Sequence, residues 1–322
     1  MKPRVLGRTG LAVSPVGFGA WAIGGNRFGN SYGTTDDAES ARALRHAYEL
    51  GCNFFDTADV YGHGHSEEIL GEALGGIRQR VIVATKVGGN FYNRDVNPLL
   101  LPRIAEAVGR PAAELAPDVP LPFTHDANFS PTYVRFAVEQ SLRRLRTDYI
   151  DLLQLHNPAL SLIAAAETYR VLDDLKNEGK LRFYGVSVHP PEEGLAAVDV
   201  TRPDTVQIVY NLVRREAEER FFGAARAANV GVIAREPLAN GLLVGRYGPD
   251  STWEKGDIRA RMPRPYLAQM SAVAQRVAEL AREAGVTPAQ LALRFVLDKD
   301  AVSVVIVGMK TVAQVEFNLS LE

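Results

Sequence analysis

Four side chains suited to moving a proton stand at or just past the ends of short apolar runs. Asp56 and Tyr61 follow Asn53-Phe54-Phe55, Lys86 follows 81–85, and His156 follows 149–155. If these runs lie side by side as strands, the four groups converge on one spot. The chemistry they could then do is carbonyl reduction. A hydride delivered to an aldehyde or ketone leaves a developing alkoxide, which needs a proton and positive potential. The Tyr61 phenol can supply the proton, but a free phenol, titrating near about 10, transfers it poorly in both directions. A Lys86 ammonium beside it favours tyrosinate, and Asp56 keeps that ammonium charged and oriented. His156 can donate a hydrogen bond to the carbonyl oxygen. Taken singly, each group has a structural explanation: Asp56 and Lys86 as an ion pair, His156 as a satisfied interior histidine, Tyr61 as a cover over the core. Four such groups on adjacent strand ends point to a reactive site.

The elements that must position them are legible as eight β-rich runs, at 16–19, 53–55, 81–85, 149–155, 182–186, 205–209, 231–234 and 302–307. Most are continuously apolar, as parallel strands buried on both faces are. Helical patterns alternate with them. Asp36 is placed to cap a helix over 36–50, Ser66-Glu67-Glu68 to open a second, and Ser130-Pro131 to open a third. Further helices are predicted over 162–178, 191–198, 217–228, 270–284, 288–297 and 311–318. Eight alternations predict a (β/α)8 TIM barrel, and Val5-Leu6 with Leu11-Ala12-Val13 around Gly7-Arg8-Thr9-Gly10 predicts an amino-terminal β-hairpin before it. The rival is a doubly wound open sheet, which lacks its glycine fingerprint after the first strand. The reading is a single domain over 1–322, with long loops at 88–129 and 239–266, both leaving the strand ends where barrels build their sites. Within the first, 97–122 is rich in Pro and Ala and reads either as a lid or as a surface insertion.

The strand ends carry Trp21, Asp56, Lys86, His156, Ser187, Asn211, Arg235 and Gly308. A formal net charge of −2 gives no reason to expect nucleic acid or an anionic membrane as partner. Cys52 is the only cysteine, so no internal disulfide can form and a reducing cytoplasm is the natural expectation. No apolar run approaches the length of a membrane span, and the first residues lack the apolar core of a signal peptide. Leu321-Glu322 reads as a possible cloning scar.

Phe55-Asp56-Thr57-Ala58-Asp59-Val60-Tyr61-Gly62, Ala84-Thr85-Lys86 and Asp151-Leu152-Leu153-Gln154-Leu155-His156 resemble the signatures of the aldo-keto reductase superfamily. So do Leu6-Gly7-Arg8-Thr9-Gly10 and Val16-Gly17-Phe18-Gly19. The resemblance runs from the first hairpin to Asn318. It implies a catalytic tetrad of Asp56, Tyr61, Lys86 and His156, with Tyr61 as general acid. It also implies NADPH or NADP+ held across the barrel top, with NADH a possible substitute, in keeping with the absence of GxGxxG and P-loop motifs.

By the same resemblance, Gln207 and Ser187 contact the nicotinamide amide. Val188 stands where an Asn is usual, so His189 is a candidate partner for Gln207. Arg235 replaces an aromatic that stacks on the nicotinamide. Pro237, Leu238, Gly241 and Leu243 belong to the loop passing over the pyrophosphate. Gly308, Lys310 and Thr311 form the adenosine phosphate site, with Gln314 and Asn318 on the adenine side. Many relatives carry Arg at Gln314 and an acid at Phe317, so one cation fewer is present here. Trp21, Phe91, Tyr92 and Trp253 are candidate substrate contacts, and the loop 88–129 is expected to shape specificity for a small carbonyl substrate.

Other readings are an NAD-linked sugar or alcohol dehydrogenase and a slow-turnover, redox-sensing binding subunit. A metal-dependent barrel hydrolase would use His63-Gly64-His65 with Lys86, His156 and His189. That pair lies in a Gly-rich turn, whereas such ligands need to project from a strand end. The run Gly185-Val186-Ser187-Val188-His189 falls short of a G-x-S-x-G nucleophile elbow.

Overall fold

The computed structural model describes residues 2–28, 31–92, 98–111, 127–254 and 257–320. Two short strands, β1 (Arg4–Val5) and β2 (Ala12–Val13), pair antiparallel. Eight parallel strands follow. They are β3 (Val16–Gly19), β4 (Phe54–Asp56), β5 (Ile82–Val87), β6 (Ile150–His156), β7 (Leu181–Val188), β8 (Thr205–Val209), β9 (Gly231–Arg235) and β10 (Val302–Gly308). Each pairs with the next in sequence, and β10 returns to β3, closing a (β/α)8 barrel. Every predicted strand is present, several one or two residues longer at an end.

The helices around the barrel are α1 (Asp37–Glu49), α2 (His65–Leu74), α3 (Leu101–Val108), α4 (Pro131–Leu145), α5 (Leu160–Ile163), α6 (Ala166–Asn177), α7 (Pro191–Val200), α8 (Phe221–Ala227), α9 (Arg264–Glu283), α10 (Pro288–Leu297) and α11 (Val312–Leu319). Their starts follow local chemistry. Asp36 accepts from the Glu39 amide at 2.8 Å, and Ser130 caps α4 ahead of Pro131. A reciprocal Thr287–Gln290 capping box opens α10. The predicted helix over 162–178 is broken into α5 and α6. The helix predicted from 270 begins six residues earlier, at Arg264, with Pro265 at an N-terminal position. Among the described residues no helix is long and apolar enough to cross a membrane.

Side chains alternate across a strand, so period two decides what fills the barrel. Phe54, Ile82, Ala84, Leu152, Ile233, Val304 and Ile306 form its apolar interior, and Leu6 and Val13 of the hairpin plug the lower end. Two residues further along the same faces come Asp56 after Phe54, Lys86 after Ala84, Gln154 after Leu152 and Arg235 after Ile233. A polar layer therefore caps the apolar one at the carboxyl ends of the strands.

The described half of the loop 88–129 is anchored. Gly89 bridges to Ala127, and α3 buries Ile104 against the main core. Residues 93–97 and 112–126, which include 97 and 112–122 of the predicted insertion, and Leu321-Glu322 lie outside the described residues.

Candidate active site

Lys86 lies on β5 with its side chain fully buried, a position no ammonium holds without partners. It has three. Its Nζ donates to Asp56 Oδ1 at 2.6 Å, to the Thr57 carbonyl at 2.8 Å and to the Tyr61 hydroxyl at 3.1 Å. Asp56 is 1% exposed, and its second oxygen accepts from Gln207 Nε2 at 2.8 Å and Gln154 Nε2 at 3.2 Å. Gln207 in turn donates to Gln154 Oε1 and accepts from Ser187 Oγ, both at 3.2 Å. The carboxylate is thus held by one ammonium and two carboxamides, which fixes the ammonium against the phenol.

Tyr61 is carried by the turn between β4 and α2. That turn lies flat on the segment after β3, and a Cβ on Gly62 (φ +56°) would come within 2.3 Å of the Gly24 carbonyl oxygen. Only glycine fits there, and the contact sets the height of the phenol above the barrel. Trp21 stacks on the Tyr61 ring at 5.3 Å, and His156 meets its edge at 5.9 Å. Burial and the positive charges of Lys86 and Arg235 push the His156 imidazole well below its ordinary value. It is therefore a neutral ring, able to donate from one nitrogen.

Tyr61 opens into a cleft of about 870 Å³, within the range of small-molecule sites. Tyr61 and Trp21 share this cleft with Gln207 and Arg235, with Asn240 and Gly241, and with Lys310 and Asn318. Arg235, Arg246, Arg259 and Lys310 line it, against the carboxylates of Asp56 and Glu236. Since Asp56 is already neutralised by Lys86, the cleft favours an anionic, elongated occupant.

A sequence profile described as the aldo/keto reductase family matches residues 15–322. The chain belongs to that family. It is 32% identical to the aldo-keto reductase YhdN of Bacillus subtilis, over 96% of this chain and 85% of that protein. It is 30% identical to an L-galactose dehydrogenase of Arabidopsis thaliana, over 98% and 86%. Among solved structures it is similar to the holo form of the aldo-keto reductase AKR11C1 of Bacillus halodurans, with TM-score 0.72, 29% identity and coverage of 100% and 90%. It is also similar to the glycerol dehydrogenase AKR11B4 of Gluconobacter oxydans, with TM-score 0.73, 31% identity and coverage of 97% and 87%. The aldo/keto reductases are oxidoreductases, and so is this chain.

The four expected tetrad members of this aldo/keto reductase stand together. Trp21, Gln207, Arg235, Pro237, Leu238, Gly241, Gly308, Lys310, Thr311, Gln314 and Asn318 all line the cleft. Ser187 lies one layer beneath it, fully buried under Gln207 and Arg235.

Other expected residues stand elsewhere. Leu243 is fully buried in an apolar cluster with Met270, so its side chain faces α9. Phe91 and Tyr92, expected against substrate, stack on each other at 4.3 Å beneath α4, where the Tyr92 hydroxyl accepts from Arg144 at 3.1 Å. They line a separate outer cleft with α1 and α2 residues, because apolar burial there outweighs exposure at the barrel mouth. Trp253 packs behind the main cleft, on Tyr247 at 4.6 Å and under Arg259 at 4.4 Å. His189 does not partner Gln207, whose bonds go to Asp56, Gln154 and Ser187. Asn211 is a turn residue, donating to the Glu236 carbonyl and accepting from the Val213 and Arg214 amides. His65 bonds Asp37 and Glu68 while His63 packs on Phe91, so the two rings serve different neighbours.

The sequence reading missed Gln154, although period two from His156 would have placed it on the interior face. It also missed Asn157, whose Oδ1 accepts from Arg235 at 3.4 Å and brings a carboxamide near the position left by Val188. Tyr32 closes over the cleft and donates to Asn240 Oδ1 at 2.6 Å, and burial pushes its phenol far up. Tyr32 and Arg246 lie in irregular loops and Arg259 in a short 3-10 turn, where no periodicity marks them.

Proposed function

We propose that the protein is a nicotinamide-dependent carbonyl reductase, converting an aldehyde or ketone to an alcohol with Tyr61 as general acid. The observation that carries this reading is the Lys86 ammonium, held within hydrogen-bond reach of both Asp56 and the Tyr61 hydroxyl at the mouth of a cationic cleft. The residues fit the group. Gln207 and Arg235 would hold the nicotinamide end, the 237–241 segment with Arg246 and Arg259 the diphosphate, and Lys310 with Thr311, Gln314 and Asn318 the adenosine end. When bound, the dinucleotide supplies a hydride to the carbonyl carbon.

This chain's own residues supply the rest. Tyr61 Oη gives its proton to the carbonyl oxygen as negative charge builds there. Lys86 Nζ stabilises the tyrosinate left behind, at a distance already set by the 2.6 Å bond to Asp56. His156, neutral and edge-on to Tyr61, donates a hydrogen bond that orients the carbonyl oxygen beside the phenol. Trp21 and Tyr32 wall the reacting end from water.

Read in reverse, the same groups make a sugar or alcohol dehydrogenase, a direction that the glycerol and L-galactose dehydrogenase relatives favour. In either direction the partner is a small molecule. The test is a panel of sugars, aliphatic and aromatic aldehydes and ketones, followed by dinucleotide absorbance in both directions with Tyr61→Phe as control. Turnover of some carbonyl or alcohol that vanishes in the variant supports the reading. Turnover that survives in the variant removes Tyr61 from the acid role.

A further inference from the structure

The reacting end of the cleft is fixed by Tyr61, so a dinucleotide seated there extends toward α11, where Lys310 and Thr311 stand. A dianionic 2′-phosphate needs free N–H donors and positive charge at that end. Several of these groups are already engaged within the protein. The Lys310 amide donates to Gln314 Oε1 at 2.8 Å, and the Gln314 amide donates to Thr311 Oγ1 at 3.2 Å. The Val312 amide, in the first turn of α11, donates to a carboxylate, Glu39 Oε1, at 2.9 Å. That bond, with Arg42 on the other oxygen, holds the Glu39 carboxyl below its usual range, so it is fully ionised at neutral pH.

Lys310 is itself tethered. Its Nζ donates to the Thr34 carbonyl at 2.9 Å. The same Thr34 holds a second carboxylate, Glu254 Oε2, through its amide at 3.0 Å and its hydroxyl at 2.8 Å. Glu254 and Asp257 both feel the Lys310 charge. Lys310 lines this end of the cleft, while the Glu39 carboxylate, paired with Arg42, flanks it from α1 and that of Glu254 from the loop after β9. Gln314, where many relatives carry Arg, adds no charge.

Resting on the nicotinamide reading above, we infer that the α11 end is set for a dinucleotide with a free 2′-hydroxyl, NADH or NAD+, and that Glu39 and Glu254 are the residues that discriminate against a 2′-phosphate. A neutral hydroxyl brings no charge against these carboxylates, whereas a phosphate must face Glu39 on the very amide it would need. Both carboxylates are partly exposed, so the discrimination weakens as salt rises.

Dissociation constants for NADH and NADPH, read from cofactor fluorescence on the full chain, test this in the wild type, Glu39→Gln and Glu254→Gln. The wild type is expected to bind NADH at least as tightly as NADPH. Each variant is expected to tighten NADPH by roughly fivefold, the scale of one charge at a helix end, while NADH changes less than twofold. The unchanged NADH affinity also reports that the variant is folded. Wild-type preference for NADPH above tenfold, or a ratio that neither variant moves by twofold, overturns the inference. If neither dinucleotide binds the wild type, the nicotinamide reading itself fails and this inference with it.

Discussion

Replacing Lys86 by Met keeps the side-chain volume and removes the charge. The three bonds from Nζ disappear, and Asp56, 1% exposed, keeps only the Gln154 and Gln207 amides on one oxygen. Breaking one partner out of a buried pair costs about 3–5 kcal/mol, because the remaining charge is left uncompensated. That is a sizeable part of the total stability of about 5–15 kcal/mol expected of a native protein. The double variant Lys86→Met/Asp56→Asn removes both charges and should recover most of the loss, leaving it less than about 2 kcal/mol below wild type. Urea midpoints at constant m-value read both numbers. Turnover should fall by roughly a hundredfold or more in both variants, since neither provides an ammonium for the tyrosinate. Two results refute the reasoning. A wild-type midpoint in Lys86→Met means that Asp56 is not an uncompensated charge. Near-normal turnover in either variant means that Tyr61 needs no cation.

Tyr61→Phe should lower turnover by about a hundredfold or more while dinucleotide binding survives, and a parallel loss of binding would assign Tyr61 a structural role instead. His63 is 9% exposed, and burial together with Arg103 pushes its imidazole down to about 4. The unfolded chain then binds a proton that the folded chain refuses, so stability is full above about 6.5 and drains away as pH falls toward 4. His63→Gln should remove about 3 kcal/mol of that acid loss, and an unchanged pH slope would show that His63 is not held neutral. Asp59 is 1% exposed, and burial followed by the Glu67 charge holds its carboxyl well above the usual range. A raised carboxyl opposes folding once the unfolded chain ionises, so Asp59→Asn should be as stable as wild type at acid pH and more stable at pH 8. A clear loss of stability at pH 8 would mean that Asp59 carries a charge that the fold uses.

The barrel was legible because its strands are buried on both faces and so read as eight apolar runs between amphipathic helices. The tetrad was legible for a related reason. Asp56, Lys86 and His156 end such runs, and period two carries them onto the interior face above Phe54, Ala84 and Leu152. Short-range rules also placed the caps at Asp36 and Ser130, which depend only on a side chain and an amide a few residues away. Loop destinations were not legible. Phe91 and Tyr92 leave β5 at the active end, yet they turn outward and bury under α4, because apolar area and the Arg144 bond lie there. Tyr32 reaches Asn240 across 208 positions, and Glu39 reaches Val312 across 273. Sequence determined which side chains can do chemistry and on which face each sits, since both follow from local periodicity. Tertiary structure decided the 3.1 Å approach of Lys86 to Tyr61, the turn height set by Gly62 on Gly24, and the carboxylate on the α11 amide, since each joins segments that only closure of the barrel brings together.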